Sequence, residues 1–226
     1  MGDTHGYKTI PWMVESKSIT NLDIIHVGDF GVGFTNMKQE NENLRSLDKK
    51  LRSSNVTLHV FRGNHDDPRY FNGYHIYENL KLHEDYTTIN IEGKNILGVG
   101  GAISIDRETR VGGVSYWSDE VFKLDATKLS DMRDIDVVVT HTAPSFVHPI
   151  DNGVYPMVVK QFFPRDSYLR DDLPRERRLL DEMYHILKKN NNIEKWFYGH
   201  FHDTVKTKHE ETEFILLDID EMYPYF

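Results

Sequence analysis

Hydrophobic positions along the chain fall into short runs separated by longer amphipathic stretches, a pattern that predicts alternating strands and helices. Four of the short apolar runs predict strands, which lie at residues 23–27, 56–61, 135–140 and 195–198. Each of these runs is followed by polar residues and, in three cases, by a glycine. Because open α/β sheets place their sites beyond the carboxyl ends of strands, we look for chemistry at these four positions.

Helical periodicity predicts three longer elements. One helix begins near Thr9 and offers Trp12, Val14 and Ile19 to a core, with a proline in its first turn. A polar helix is predicted over residues 36–52, where leucines recur on one stripe. The third helix is predicted over residues 174–189, with its proline near the start.

Two further pairs of short runs predict hairpins. Residues 87–91 and 95–99 flank a glycine-containing turn and suggest a β-meander, and residues 204–208 and 213–218 suggest a closing hairpin. Taken with the other elements, they predict an α/β fold of packed sheets flanked by helices, in a single domain over residues 1–226. Residues 146–178 form one long, aromatic and charged stretch, which we interpret as a lid or insertion.

Composition excludes several classes of protein. The 226 residues are 38% hydrophobic and 28% charged, which argues against a membrane, collagen-like or disordered chain. The absence of cysteine excludes disulfide scaffolds, zinc ribbons, Fe–S clusters and thiol catalysis. A net charge of −9 makes extended nucleic-acid binding unfavourable. With no transmembrane run and no recognisable signal peptide, we expect no membrane association and a cytoplasmic location.

Five short blocks carry metal-binding chemistry, and they lie at residues 2–6, 28–29, 63–66, 141 and 199–202. They offer oxygen and nitrogen ligands without sulfur, a set suited to Mn, Fe, Zn or Mg. Seven candidate ligands are too many for one tetrahedral ion but fit two divalent ions about 3.5–4 Å apart, an arrangement suited to displacement at phosphorus. We expect Mn, with Fe, Zn or Ni as alternatives. The candidate ligands are Asp3, His5, Asp29, Asn64, His141, His200 and His202.

Residues beside these blocks are candidates for catalysis and substrate binding. His65 follows a ligand without needing to be one, so it can act as general acid, with Asp66 orienting its ring. Arg62 can hold a phosphate oxygen through its planar guanidinium group. Three more residues are candidates for contact with substrate: Arg107, Arg110 and His148.

With these five blocks the chain resembles the calcineurin-like metallophosphoesterases over nearly its whole length, from Asp3 to His202. The Arg-Gly-Asn-His run at residues 62–65 is similar to that of bacterial and phage Ser/Thr-phosphatase-like members. The resemblance implies a four-layer α-β-β-α sandwich of two mixed sheets with helices outside. It also implies one metal at Asp3, His5, Asp29 and His202, a second at Asp29, Asn64, His141 and His200, a bridging Asp29, and His65 as catalytic acid.

The sequence departs from that family in two places. A buried β-strand precedes the family's first Asp-x-His block, whereas here only two residues precede Asp3. The first strand is therefore absent from this sequence, and we expect the natural reading frame to extend upstream by about five to ten apolar residues. The phosphatase branch also carries an Asp-Arg-Gly after its second block, where this chain has Asp29-Phe30-Gly31.

The leading hypothesis is a phosphomonoesterase with a dinuclear metal site. Its substrate could be a phosphoprotein, a nucleotide or a small-molecule ester, among which the sequence does not choose. Two alternatives stay open: a nuclease or cyclic-nucleotide phosphodiesterase of the same fold, and a metal-binding scaffold without turnover. Retention of every candidate ligand and of His65 argues against the scaffold.

Overall fold

The computed structural model describes residues 1–149 and 157–225, with Met157 placed by its backbone alone. In this part of the chain, nine strands form two sheets and five α-helices flank them. The helices are α1 (Ile10–Ser16), α2 (Met37–Ser53), α3 (Ala126–Asp131), α4 (Met157–Lys160) and α5 (Leu169–Lys188). The strands are β1 (Leu22–His26), β2 (Val56–Val60), β3 (Leu80–Leu82), β4 (Thr87–Ile91), β5 (Lys94–Val99), β6 (Val137–Thr140), β7 (Lys195–Tyr198), β8 (Val205–His209) and β9 (Thr212–Leu216).

The smaller sheet has the order β1-β2-β3 and is entirely parallel in its described strands. The register pairs Ile24 with Leu58, and Leu58 with Leu80. The leucine stripe of α2 is buried in one cluster with residues of α1 and of this sheet. One face of the sheet therefore packs against α1 and α2. Every second residue of β2, namely Val56, Leu58 and Val60, is fully buried, as expected where helices cover one face of a strand.

The larger sheet has the order β4-β5-β6-β7-β9-β8. Its four inner strands are parallel, and an antiparallel strand closes each edge, so this sheet is mixed. Both predicted hairpins are present as the pairs β4–β5 and β8–β9.

Alternation along the strands of the larger sheet separates two apolar layers. Val138 packs with α5 residues on the outer side. Its neighbours Val137 and Val139 belong to a cluster that includes Val27 and Phe61, which directly follow β1 and β2 of the other sheet. Successive side chains point to opposite faces of a strand, so one strand can serve both layers. The predicted order of layers, helix, sheet, sheet and helix, is confirmed, with the smaller sheet parallel instead of mixed.

Two details of the predicted helices are wrong. Helix α5 begins at Leu169, so Pro174 lies inside it and not at its start. Leu169 is fully buried with Ile103 and Phe163, and this apolar contact extends the helix toward its N-terminus. In α1, Trp12 is 68% exposed and does not join the core, which receives Ile10 and other α1 residues instead.

Residues 1–3 lie beside the end of β1 and pair on both sides. The terminal amine donates to Ile25 O at 2.6 Å, and Val27 N donates to Met1 O at 3.1 Å. On the other side, Gly2 N donates to the carbonyl oxygen of Glu221 at 2.8 Å, and Asp220 N donates to that of Asp3 at 2.8 Å. Asp3 is therefore held by backbone pairing close to the carboxyl end of β1.

The predicted lid or insertion at 146–178 contains α4 and the first half of α5, and its residues 150–156 lie outside the described part. No helix within the described ranges combines the length and apolar character that a bilayer span requires.

Candidate metal centre

The seven candidate ligands come from separate segments of the chain and meet at one edge of the two sheets. Asp29 follows β1, Asn64 follows β2, His141 follows β6, and His200 and His202 follow β7. Residues 3 and 5 join them from the start of the chain, beside Asp29, whose carbonyl accepts from His5 N at 2.9 Å. This placement thus brings together side chains as remote in sequence as those of Asp3 and His202.

One group of ligand atoms, which we call the first cluster, consists of Asp3, His5, Asp29 and His202. Their ligand atoms all lie within 4.8 Å of one another. The Nε2 atoms of His5 and His202 are 2.9 Å apart, and His202 Nε2 is 3.4 Å from Asp3 Oδ2. Two carboxylates and two imidazoles at this spacing form a set that a divalent cation can occupy.

The second cluster consists of Asp29, His141 and His200, with ligand atoms again within 4.8 Å of one another. Asn64 adjoins it, since its Oδ1 lies 3.0 Å from His141 Nε2. The same Nε2 is 3.1 Å from Asp29 Oδ1. Asp29 belongs to both clusters, which places its carboxylate between them.

The tautomer of His141 decides what its Nε2 can do. Its Nδ1–H donates to Val27 O at 3.0 Å, so a neutral ring presents a lone pair from Nε2 toward Asp29 and Asn64. Without a cation, burial lowers the pKa of His141, but Asp29 and Asp3 outweigh it and raise the pKa to about 9. A proton therefore supplies the positive charge that a cation would supply.

A buried carboxylate oxygen without a partner also indicates that a cation fits this site. Asp3 is fully buried, and its Oδ1 has no hydrogen-bond partner among the described residues. A buried carboxylate oxygen without a donor is costly unless a cation lies nearby. Burial also lowers the pKa of His200 well below its usual value, which keeps that ring neutral and able to bind a metal.

Two glycines leave room for these carboxylates. A Cβ added at Gly63 would lie 2.1 Å from Asp29 Oδ1, and one added at Gly199 would lie 2.1 Å from Asp3 Oδ1. Real Cβ atoms do not approach oxygen this closely, so both positions require glycine if the carboxylates are to stay in place.

The backbone is strained at four of the candidate ligands. Positive φ angles occur at His5 (46°), Asp29 (53°), His200 (70°) and His202 (49°). Such angles are uncommon outside glycine and concentrate at functional sites, where surrounding contacts hold them. The strain here aims four ligand side chains into one small volume.

His65 lies at the edge of the centre. Its ring stands edge-on to that of His5, with centroids 5.0 Å apart, and its backbone N donates to Asp29 Oδ1 at 2.8 Å. Burial lowers the pKa of the His65 ring, and the carboxylate of Asp29 offsets this only in part. A phosphate dianion beside the ring would favour its protonated form.

Asp66 does not orient the His65 ring, which corrects the expectation from sequence. Its carboxylate accepts four backbone N–H groups, from Phe30 at 3.1 Å, Gly31 at 2.7 Å, Val32 at 3.2 Å and Gly63 at 2.7 Å. It therefore ties the loop that follows Asp29 to the loop that carries Asn64. Burial, with a further contribution from Asp29, raises the pKa of Asp66 to about 6.

The expectation that Arg62 holds a phosphate oxygen is also wrong. Its guanidinium is buried and donates to Asp85 Oδ2 from Nε at 3.1 Å and from Nη2 at 2.7 Å. The remaining hydrogens point to the carbonyl oxygens of Asp119, Glu120 and Val121. All five donors are used within the protein, so none is left for a phosphate.

Two of the proposed substrate contacts have protein partners instead. Arg107 donates to Asp166 Oδ2 at 2.5 Å and to Asp172 Oδ2 at 2.7 Å, which links the loop after β5 to the 146–178 stretch. His148 Nε2 lies 3.3 Å from Asp203 Oδ2, next to His202 but outside both clusters.

Arg110 does reach the centre, through the backbone of a ligand. Its Nη2 donates to Asn64 O at 3.2 Å, and its Nη1 donates to Ser104 Oγ. Ser104 and Glu120 are buried beside Asn64 and were missed by the sequence analysis. Ser104 is a single polar residue between two isoleucines, and Glu120 ends a short polar run, so no pattern in the sequence distinguishes either from a surface residue.

The chain was compared with known structures and sequences. A solved structure of GAP50, the anchor in the inner membrane complex of Plasmodium, is similar over 95% of this chain and 66% of that chain, with 14% identity and a TM-score of 0.40. This chain thus spans just under two thirds of that protein. No curated protein sequence matches it. The family model for calcineurin-like phosphoesterases matches residues 1–204. The chain therefore belongs to the calcineurin-like phosphoesterase family.

Proposed function

We propose that this chain is a phosphomonoesterase whose centre holds two divalent cations bridged by Asp29. The observation that carries the proposal is the shared carboxylate: Asp29 belongs to both clusters, and the remaining ligands divide between them without overlap. The other support is the unpartnered Oδ1 of buried Asp3. When bound, two such cations activate a water molecule for attack and neutralise the charge of the phosphate oxygens.

Two residues that are not ligands would fix the position of the ligands. Val27 fixes the tautomer of His141, and Asp66 fixes the two loops that carry Asp29 and Asn64. We expect Mn²⁺ to support turnover best, since a set of imidazole, carboxylate and amide ligands without sulfur accepts it.

The proton for the leaving group would come from His65. Its ring lies beside that of His5, a member of the first cluster, but His65 is not itself a member. A protonated imidazole at this place can donate to the departing alkoxide oxygen, a contribution of about 10²–10⁴-fold in rate. Asp29, which accepts from the backbone N of His65, holds this segment against the centre.

The test is a matched pair of p-nitrophenyl phosphate and bis(p-nitrophenyl) phosphate, assayed with Mn²⁺, Mg²⁺, Zn²⁺ and Ni²⁺ after removal of metals by chelation. Faster hydrolysis of the monoester is expected, with none in the presence of excess chelator. Preference for the diester would identify a phosphodiesterase. Binding of two cations without hydrolysis of either ester would identify a scaffold. The Asp29→Ala variant is the control, because it lacks the shared ligand.

A further inference from the structure

Ser104 is buried directly behind Asn64, in the loop after β5. Asn64 Nδ2 donates to Ser104 Oγ at 2.9 Å, and Ser104 Oγ donates to Glu120 Oε1. Arg110 Nη1 also donates to Ser104 Oγ. Asn64 and Ser104 are each 2% exposed and Glu120 is 0% exposed, so water does not compete for these bonds.

With Glu120 ionised, the hydrogen-bonding capacity of the Ser104 hydroxyl group leaves one arrangement. A serine hydroxyl has one hydrogen and two lone pairs, and an arginine can only donate. One lone pair of Ser104 therefore receives Arg110. Its hydrogen goes to the carboxylate of Glu120, which also lies 3.4 Å from Arg110 Nη1. The remaining lone pair can accept only from a donor, and Asn64 Nδ2 is that donor.

We infer that Ser104 is a positioning residue that, held by Glu120 and Arg110, selects which end of the Asn64 amide faces the second cluster. With Nδ2 committed to Ser104, Oδ1 is left 3.0 Å from His141 Nε2, in place to bind a cation. A rotated amide would set Oδ1 against a lone pair of Ser104 and turn its NH₂ group toward the cation. Both contacts would be repulsive.

The first test is titration of the metal-free protein with Mn²⁺ by isothermal calorimetry, for the wild type and Ser104→Ala. The alanine side chain accepts no hydrogen bond, so the amide loses the contact that holds Nδ2 away from the second cluster. We expect one of the two binding events to weaken by about 10–100-fold, as is typical when a group supporting a ligand is removed. The other event should keep its wild-type affinity.

A rescue experiment separates positioning from a structural role. In an Asn64→Asp background the side chain has two equivalent oxygens, so there is no wrong orientation to avoid. Adding Ser104→Ala to this background should not weaken Mn²⁺ binding, because it removes only a serine lone pair that would face one of the aspartate oxygens. A general loss of packing at Ser104 would instead weaken binding equally in both backgrounds.

Glu120→Gln gives a second route if Ser104→Ala does not fold. The new amide can donate to Ser104 Oγ, which frees the serine hydrogen to face Asn64 and favours the rotated amide. The control is Thr212→Val, which removes another buried hydroxyl bond, that to Ile193 O, at β9. It should lower the melting temperature without changing Mn²⁺ affinity. Wild-type affinity in both Ser104→Ala and Glu120→Gln, or an equal loss in the Asn64→Asp background, would overturn the inference about Ser104. A single Mn²⁺ site in the wild type would instead overturn the proposed dinuclear centre, on which this inference rests.

Discussion

His141 is fixed by Val27: its Nδ1–H donates to the carbonyl oxygen at 3.0 Å, which leaves Nε2 as the nitrogen that faces Asp29. This bond selects the tautomer that a metal ligand needs. It also makes the ring a base surrounded by carboxylates, so the occupancy of the second cluster depends on pH.

The first prediction concerns protons released by metal binding. Burial lowers the pKa of His141, but Asp29 and Asp3 outweigh it and raise the pKa to about 9, so the ring carries a proton at neutral pH in the metal-free chain. A cation must displace that proton, and its affinity should rise as pH increases toward about 9. Calorimetry with Mn²⁺ near pH 7.5, in buffers of different ionisation enthalpy, should show release of about one proton. Heats independent of the buffer would contradict it.

The second prediction separates chemistry from metal binding at His65. His65→Ala should lower kcat for an alkyl monoester by about 10²–10⁴-fold, because a positioned acid is lost. It should still bind two Mn²⁺ ions. The loss should be smaller for p-nitrophenyl phosphate, whose leaving group hardly needs a proton. Loss of a metal from His65→Ala would mean that the residue is a ligand, and an equal loss for both esters would mean that it is not the acid.

The third prediction compares alanine substitutions at two glycines, one beside the metal centre and one remote from it. Gly199→Ala puts a Cβ 2.1 Å from Asp3 Oδ1 and should displace that carboxylate, weakening Mn²⁺ binding at the first cluster by at least about tenfold. Gly112→Ala is the matched control, because its Cβ would meet nothing within 4 Å. Unchanged binding in both variants would show that Asp3 is not a ligand.

The fourth prediction distinguishes two roles for Asp66. Asp66→Asn replaces one carboxylate oxygen, which accepts backbone N–H groups, by an amide nitrogen, which cannot accept them. Unmet buried donors cost about 1–3 kcal/mol each, so the variant should melt well below the wild type. His65→Ala should melt close to the wild type. An unchanged melting temperature with reduced kcat in Asp66→Asn would instead support a role in orienting His65.

The ligand blocks could be predicted from sequence because strand ends are visible in the pattern of apolar runs. Asp29, Asn64 and His141 each follow a run whose length and composition identify a strand, and parallel strands bring such ends together. The order of layers in the fold could be predicted for the same reason, because the strands and helices are visible in that pattern.

The side chains that support the site could not be predicted, since their partners are remote in sequence. Arg62 sits in the same motif as Asn64, yet its direction is set by Asp85 and by the carbonyl of Glu120, which are 23 and 58 residues away. The start of α5 was missed for a similar reason. A proline usually marks the first turn, but burial of Leu169 extends the helix beyond it.

The four left-handed ligand residues imply that this fold would be more stable without its site. Each such residue costs on the order of 1 kcal/mol relative to glycine, whose backbone adopts these angles freely. Changing the exposed His202, with φ 49°, to glycine should therefore relax the backbone even as a ligand is lost. Selection for thermal stability alone would therefore replace these four ligands, whereas selection for activity would retain them.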